Sequence, residues 1–125
     1  MTAFDLETTF LALDGDGGVV QLPVGPEFWA TIGSNPAAGG TLMGIYPMTA
    51  DWTHWEMHPR GDEVLMMMEG ELELILDEAG NERHVRLGTG GAFVVPAGVW
   101  HRALVTRSGR LLGVTYGAGT EHRPV

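Results

Sequence analysis

Between residues 41 and 116, β-prone runs of four to eight residues alternate with tight-turn residues, and this punctuation leaves few folds open. The runs fall at 41–46, 51–58, 63–69, 71–77, 82–87, 92–95, 101–107 and 110–116. Gly70, Gly80-Asn81, Gly88-Thr89-Gly90-Gly91, Pro96-Ala97-Gly98 and Ser108-Gly109 separate them, glycine supplying positive φ and proline a fixed one. Many short strands with almost no helical period predict an all-β chain, an antiparallel sandwich or barrel of the jelly-roll kind. In 71–76 the leucines take one face and the glutamates the other, as in a sheet with one wet side. Met66-Met67-Met68 is apolar on both faces. Such a run is buried on both sides, or lines a pocket with one face and meets a partner subunit with the other.

Ahead of this core, residues 8–22 place two β-prone runs around Asp14-Gly15-Asp16-Gly17-Gly18, which predicts a hairpin. An EF-hand would need Glu at the twelfth loop position, where Gly25 stands. Pro26 opens at most one helical turn through Ala30, and 35–40 is a loop. Phe28 and Trp29 are expected in the core or an interface. Residues 117–125 form a polar tail that leaves His122 on the surface or folds over the barrel mouth, and His84, between charged neighbours, is expected to be solvated.

At 125 residues the chain is expected to be one domain, with its barrel at 41–116, strands and a loop at 1–40, and the tail at 117–125. No cysteine is present, which excludes disulfides, thiolate zinc sites and cysteine nucleophiles. A formal charge of −9 opposes binding to nucleic acid or anionic membranes. The first ten residues are acidic where a secretory signal is basic, and no apolar run approaches the roughly 18 residues of a membrane helix. A cytoplasmic protein is expected.

The chemistry concentrates in 51–70. If 51–58 is a strand, period two sends His54, Glu56 and His58 to one face and Trp55 and Met57 to the other. Glu63 follows after a turn. Three groups able to bind a metal or move a proton, aligned and followed by a further carboxylate, are not explained by core packing. Trp52 shares their face and either packs in the core or forms a wall of the pocket. His54, about 7 Å toward the strand's start, is expected to touch substrate at the mouth.

These residues resemble the cupin superfamily, whose first motif reads G-x5-H-x-H-x3-4-E-x6-G and whose second reads G-x5-P-x-G-x2-H-x3-N. Glu56-Met57-His58 stands in the His-x-His place, with Glu63 and Gly70 at the expected distances, and Gly90, Pro96-Ala97-Gly98 and His101 match the second motif. The chain departs from the pattern at three positions: Ala50 for the opening glycine, Glu56 for the first histidine and Val105 for the closing asparagine. The resemblance implies a small barrel whose metal ligands are His58, Glu63 and His101, with Glu56 as fourth ligand or as a catalytic base. Two imidazoles and a carboxylate suit Fe(II) and accept Mn, Ni or Zn. It implies either a metal-dependent dioxygenase, isomerase or lyase acting on a small organic molecule, or a non-catalytic metabolite binder with a weakened or absent metal site. The outward Trp55, Met57, Met66 and Met68 suggest a homodimer.

Overall fold

The computed structural model describes residues 2–35 and 40–125. Among the described residues nine strands order the chain: β1 Thr9–Leu13, β2 Val19–Pro23, β3 Thr41–Met48, β4 His54–Met57, β5 Glu63–Glu78, β6 Asn81–Leu87, β7 Ala92–Val95, β8 Trp100–Tyr116 and β9 Glu121–Pro124. A four-residue helix, α1 (Phe28–Thr31), and a 3-10 turn at Ile32–Ser34 lie between β2 and β3. Every strand pairing is antiparallel. The all-β jelly-roll expected from the sequence is the fold observed. The predicted loop at 35–40 has residues 36–39 outside the described part.

Two long strands organise the barrel. The first half of β5 joins β7 and the second half of β8, which continues through β3 and β1 to β2. The second half of β5 joins β6 and the first half of β8, which continues through β4 to β9. The inner faces of both halves meet in one core, with Leu65, Met67 and Leu111 from the first and Leu72, Leu74 and Ala103 from the second. Burying each leucine contributes about 1.5–3 kcal/mol.

The sequence suggested separate strands at 63–69 and 71–77, and again at 101–107 and 110–116; each pair is one continuous bent strand. At the bend the register slips, so that between Met67↔Leu111 and Leu72↔Val105 five steps along β5 face six along β8. Inward positions on β5 therefore change from odd (Glu63, Leu65, Met67) to even (Leu72, Leu74, Leu76). Gly70 makes this possible: its φ is +84°, and a Cβ there would stand 2.5 Å from the Arg107 carbonyl oxygen.

The predicted hairpin is β1–β2, its turn held by Asp14 Oδ1, which accepts from the Asp16 and Gly18 amides. Phe10, Ala12 and Leu22 form a second small core with Phe28 of α1. Phe10 meets Phe28 and Tyr46 edge to face at 5.3 and 5.2 Å, which fixes the helix beside the open end of the barrel. Trp29 is not in the core: it is 57% exposed and lies along the cavity described below. Residues 117–125 are more than a surface tail, since 121–124 form β9 and pair with β4 from His54↔Pro124 to Met57↔Glu121. Among the described residues no helix is long and apolar enough to cross a membrane.

Candidate metal centre

Cross-strand pairing builds the site. Glu56 of β4 faces His101 of β8 on one side and His122 of β9 on the other, while Glu63 of β5 faces Thr115 of β8. His58 lies just past the end of β4, where Pro59 disfavours helix and keeps it extended. Its carbonyl accepts from the Gly98 amide (2.9 Å), and Asp62 Oδ1 accepts from the Ala97 amide (2.9 Å). The turn before Glu63 and the turn before His101 are thus held together, although 35 residues separate Asp62 from Ala97.

Glu56, His58, Glu63 and His101 bring one ligand atom each within 4.8 Å of one another. His101 Nε2 is 3.0 Å from Glu63 Oε1, His58 Nε2 is 3.2 Å from Glu63 Oε2, and His58 Nε2 is 3.7 Å from Glu56 Oε1. Two ligands about 2.1 Å from one ion at right angles stand about 3.0 Å apart, so these separations suit a shared ion. His58, Glu63 and His101 are buried, whereas the Glu56 side chain is 26% exposed and faces the cavity.

The far ring nitrogens fix which way each imidazole presents its lone pair. Thr120 Oγ1 donates to the Gly117 carbonyl (2.7 Å), so toward His58 Nδ1, also at 2.7 Å, it is the acceptor. His58 Nε2 is left facing the carboxylates, buried and without a hydrogen-bond partner. His101 Nδ1 donates to the Val99 carbonyl (3.0 Å), so its Nε2 also faces inward. Nitrogen lone pairs aimed at carboxylate oxygens repel unless a proton or a metal ion sits between them, as a proton does between His101 and Glu63, and the donor set fits a divalent ion in that place. Two anionic oxygens and two neutral nitrogens would neutralise it.

The charges are unequal. Burial pushes the Glu63 carboxyl up, but the hydrogen bond from His101 and the contact with His58 outweigh it and hold the group at about 2. Burial and the Glu63 charge raise Glu56, against the lowering influence of His58, His101 and His122. Burial lowers His101, but its bond to Glu63 prevails and the net shift is upward. Thr115 Oγ1 donates to Glu63 Oε2. Burial and the two carboxylates raise the Tyr46 phenol, so it stays protonated.

Of the remaining candidates, Trp52 lines the cavity, with its ring 6.0 Å from that of His101. His54 does not reach it: it is exposed, pairs with Thr53 Oγ1 at 3.0 Å, and lies at the outer start of β4. His84 is bound rather than simply solvated, with Nδ1 on Glu73 and Nε2 3.5 Å from Glu82. Sequence reading missed Thr115, Thr120 and the approach of His122, whose Nε2 is 3.7 Å from Glu56 Oε1. Thr115 was within reach, being on the inward period of β8 with Leu111. Thr120 carried no signal.

Thr120→Val is expected to weaken Zn(II) binding by about 10–100-fold, because His58 loses the acceptor that orients it, while Thr120→Ser stays near the parent. Calorimetric titration of both variants checks this; equal loss in both would mean that the hydroxyl does not position His58.

The fold and this cluster together define a jelly-roll barrel with a candidate metal centre. The Cupin domain family model matches residues 42–112, more than half of the chain, and the chain belongs to that family. No curated protein sequence matches it. Among solved structures, a cupin-2 domain protein from Shewanella frigidimarina is similar with a TM-score of 0.53 and 21% identity, over 61% of this chain and 70% of that one. Hydroquinone 1,2-dioxygenase PnpCD, in complex with Cd2+ and 4-hydroxybenzonitrile, gives 0.54 and 20% over 61% and 57%. Oxalate oxidase gives 0.52 and 22% over 66% and 46%. These likenesses concern the fold.

Proposed function

We propose that the barrel holds one divalent metal ion on His58, Glu63, His101 and Glu56 and acts as an enzyme on a small organic molecule in the adjoining cavity. The observation that carries this is the convergence of two oriented imidazole Nε2 atoms on two carboxylates beside a cavity of about 910 Å³. A bound ion would supply Lewis acidity or, as iron, oxygen chemistry, consistent with a dioxygenase, isomerase or lyase. Glu63 holds both histidines and is 7% exposed, so it is structural to the centre. Glu56, the more exposed carboxylate, is the group placed to leave the ion and take a proton from a bound molecule.

A second reading, a metabolite binder without turnover, is favoured by Glu56 standing where the family motif has histidine. Metal analysis of protein purified without chelator or a metal-carrying tag separates the two. Stoichiometric iron supports an oxygenase, zinc or manganese supports proton transfer, and absence of metal supports the binder.

Of the residues expected to form a dimer surface, Trp55 offers little. Trp55 faces outward but is only 8% exposed, with the guanidinium groups of Arg102 and Arg123 over its ring at 5.1 and 5.3 Å. Open apolar surface lies instead at Val64 and Val94, 39% and 52% exposed and paired across β5 and β7, with Val114 next to Val64 on β8. We place a homodimer contact there. Light scattering at micromolar concentration is expected to give a dimer for the parent and a monomer for Val64→Glu; a monomeric parent removes the proposal.

A further inference from the structure

We infer that the cavity takes a neutral, largely apolar ring compound with an oxygen donor, such as a phenol or aryl ketone, and disfavours carboxylates and phosphates. This rests on the proposal that the cavity is the substrate site, and it concerns the chemistry of the wall. Trp29, Ile32, Leu42, Tyr46, Trp52 and Leu111 supply much of that wall. Trp29 and Tyr46 stack with 26° between ring planes and centroids 6.1 Å apart, so two aromatic rings packed on each other line the cavity from its exposed rim inward. A volume of about 910 Å³ accommodates a ring with substituents.

Charge points the same way. The ionisable groups lining the cavity are Glu56, Glu63, His58, His122 and the Tyr46 phenol. The chain has seven arginines and no lysine, and no arginine is among the described residues that line the cavity. Four are paired elsewhere: Arg83 with Glu78, Arg86 with Glu71, Arg110 with Asp5, Glu7 and Glu69, and Arg123 with Asp77. Residues 36–39 are Pro, Ala, Ala and Gly, and their side chains carry no charge.

An anion entering this space would leave water for a largely apolar wall whose described lining residues include no guanidinium or ammonium, which costs several kcal/mol. A divalent ion does not change the sign, because Glu56 and Glu63 cancel its two charges. A neutral carbonyl or phenol loses much less on entry. It would find the ion or His122 as polar partners and the aromatic wall for its ring.

Acetophenone and benzoate have similar size and shape and differ in charge at pH 7.5, so they isolate this property. Zinc stoichiometry is measured first; calorimetric titrations of acetophenone, benzoate and oxalate then follow on zinc-loaded and metal-free protein. Acetophenone is expected to bind at least about tenfold more tightly than benzoate in both forms, with oxalate weaker still. Trp29→Arg, at an exposed rim position, is expected to narrow or reverse the preference, whereas Trp29→Ala weakens acetophenone without helping benzoate. Benzoate or oxalate binding as tightly as acetophenone overturns the inference, and so does absence of acetophenone binding in both forms. Failure of zinc to bind overturns the metal centre alone, because the metal-free titration still decides the character of the wall.

Discussion

Glu63→Gln is expected to weaken divalent metal binding by more than about 100-fold, beyond the loss usual for a partner that only orients a ligand. Glu63 lies within 3.2 Å of both imidazole Nε2 atoms and accepts from Thr115. Glutamine keeps the shape, removes half the anionic charge and brings an amide donor to the ion's position. Zinc calorimetry with a thermal melt on the same sample checks it. An affinity within about tenfold of the parent would show that Glu63 is not a ligand.

The parent's pH dependence follows from the same contact. His101 is raised, so its pairing stabilises the metal-free fold fully below the ordinary imidazole range and is lost as pH rises through the raised value. Glu63 is lowered, so its contribution is present above the ordinary carboxylate range and is lost only as pH falls through about 2. This pair therefore contributes most to metal-free stability between those two ranges. Zinc affinity should run the other way and rise toward alkaline pH, since a proton shared by His101 and Glu63 must leave for the ion to bind.

Glu56→Gln is expected to lower turnover by about 10²–10⁴-fold while the barrel stays folded, because the amide cannot accept the proton assigned to the carboxylate. Glu56→His should instead tighten zinc or nickel, since imidazole suits the later transition metals. Turnover would be followed on whichever neutral oxygen-bearing compound the metal-loaded parent converts fastest, with metal affinity measured on the same preparations. A Gln variant that matches the parent in both makes Glu56 a spectator.

Much of this centre could be read from the chain because its parts are local. Pro96-Ala97-Gly98 is a turn with its own backbone reasons, and His101 follows three residues later on the inward period. His58 and Glu63 were legible for the same reason, since Pro59 and the intervening bend fix their relation. Period two alone could not show which end of β4 lies inside, since His54 and Glu56 share a face; the motif spacing pointed to Glu56, and the pairing with His101 and His122 places it inward. β9 was illegible because it exists through distant partners. Arg123 donates to Asp77 at 2.7 Å and lies over Trp55 and Trp100, and none of these is its neighbour in sequence.

The slip at the bend of β5 acts as a change of phase. Had alternation continued unbroken from Glu63, Leu65 and Met67, the next inward positions would have been Glu69, Glu71 and Glu73, and the leucines between and beyond them would have faced water. Three successive register shifts between Met67 and Leu72, with a net offset of one residue, turn three carboxylates outward, each of which would cost several kcal/mol if buried without a partner. The shifts also aim Leu72, Leu74 and Leu76 at the core floor beneath His101. The barrel should therefore bear many single replacements along β5 better than the loss or gain of one residue between Met67 and Leu72, which would exchange the two faces of half the strand at once.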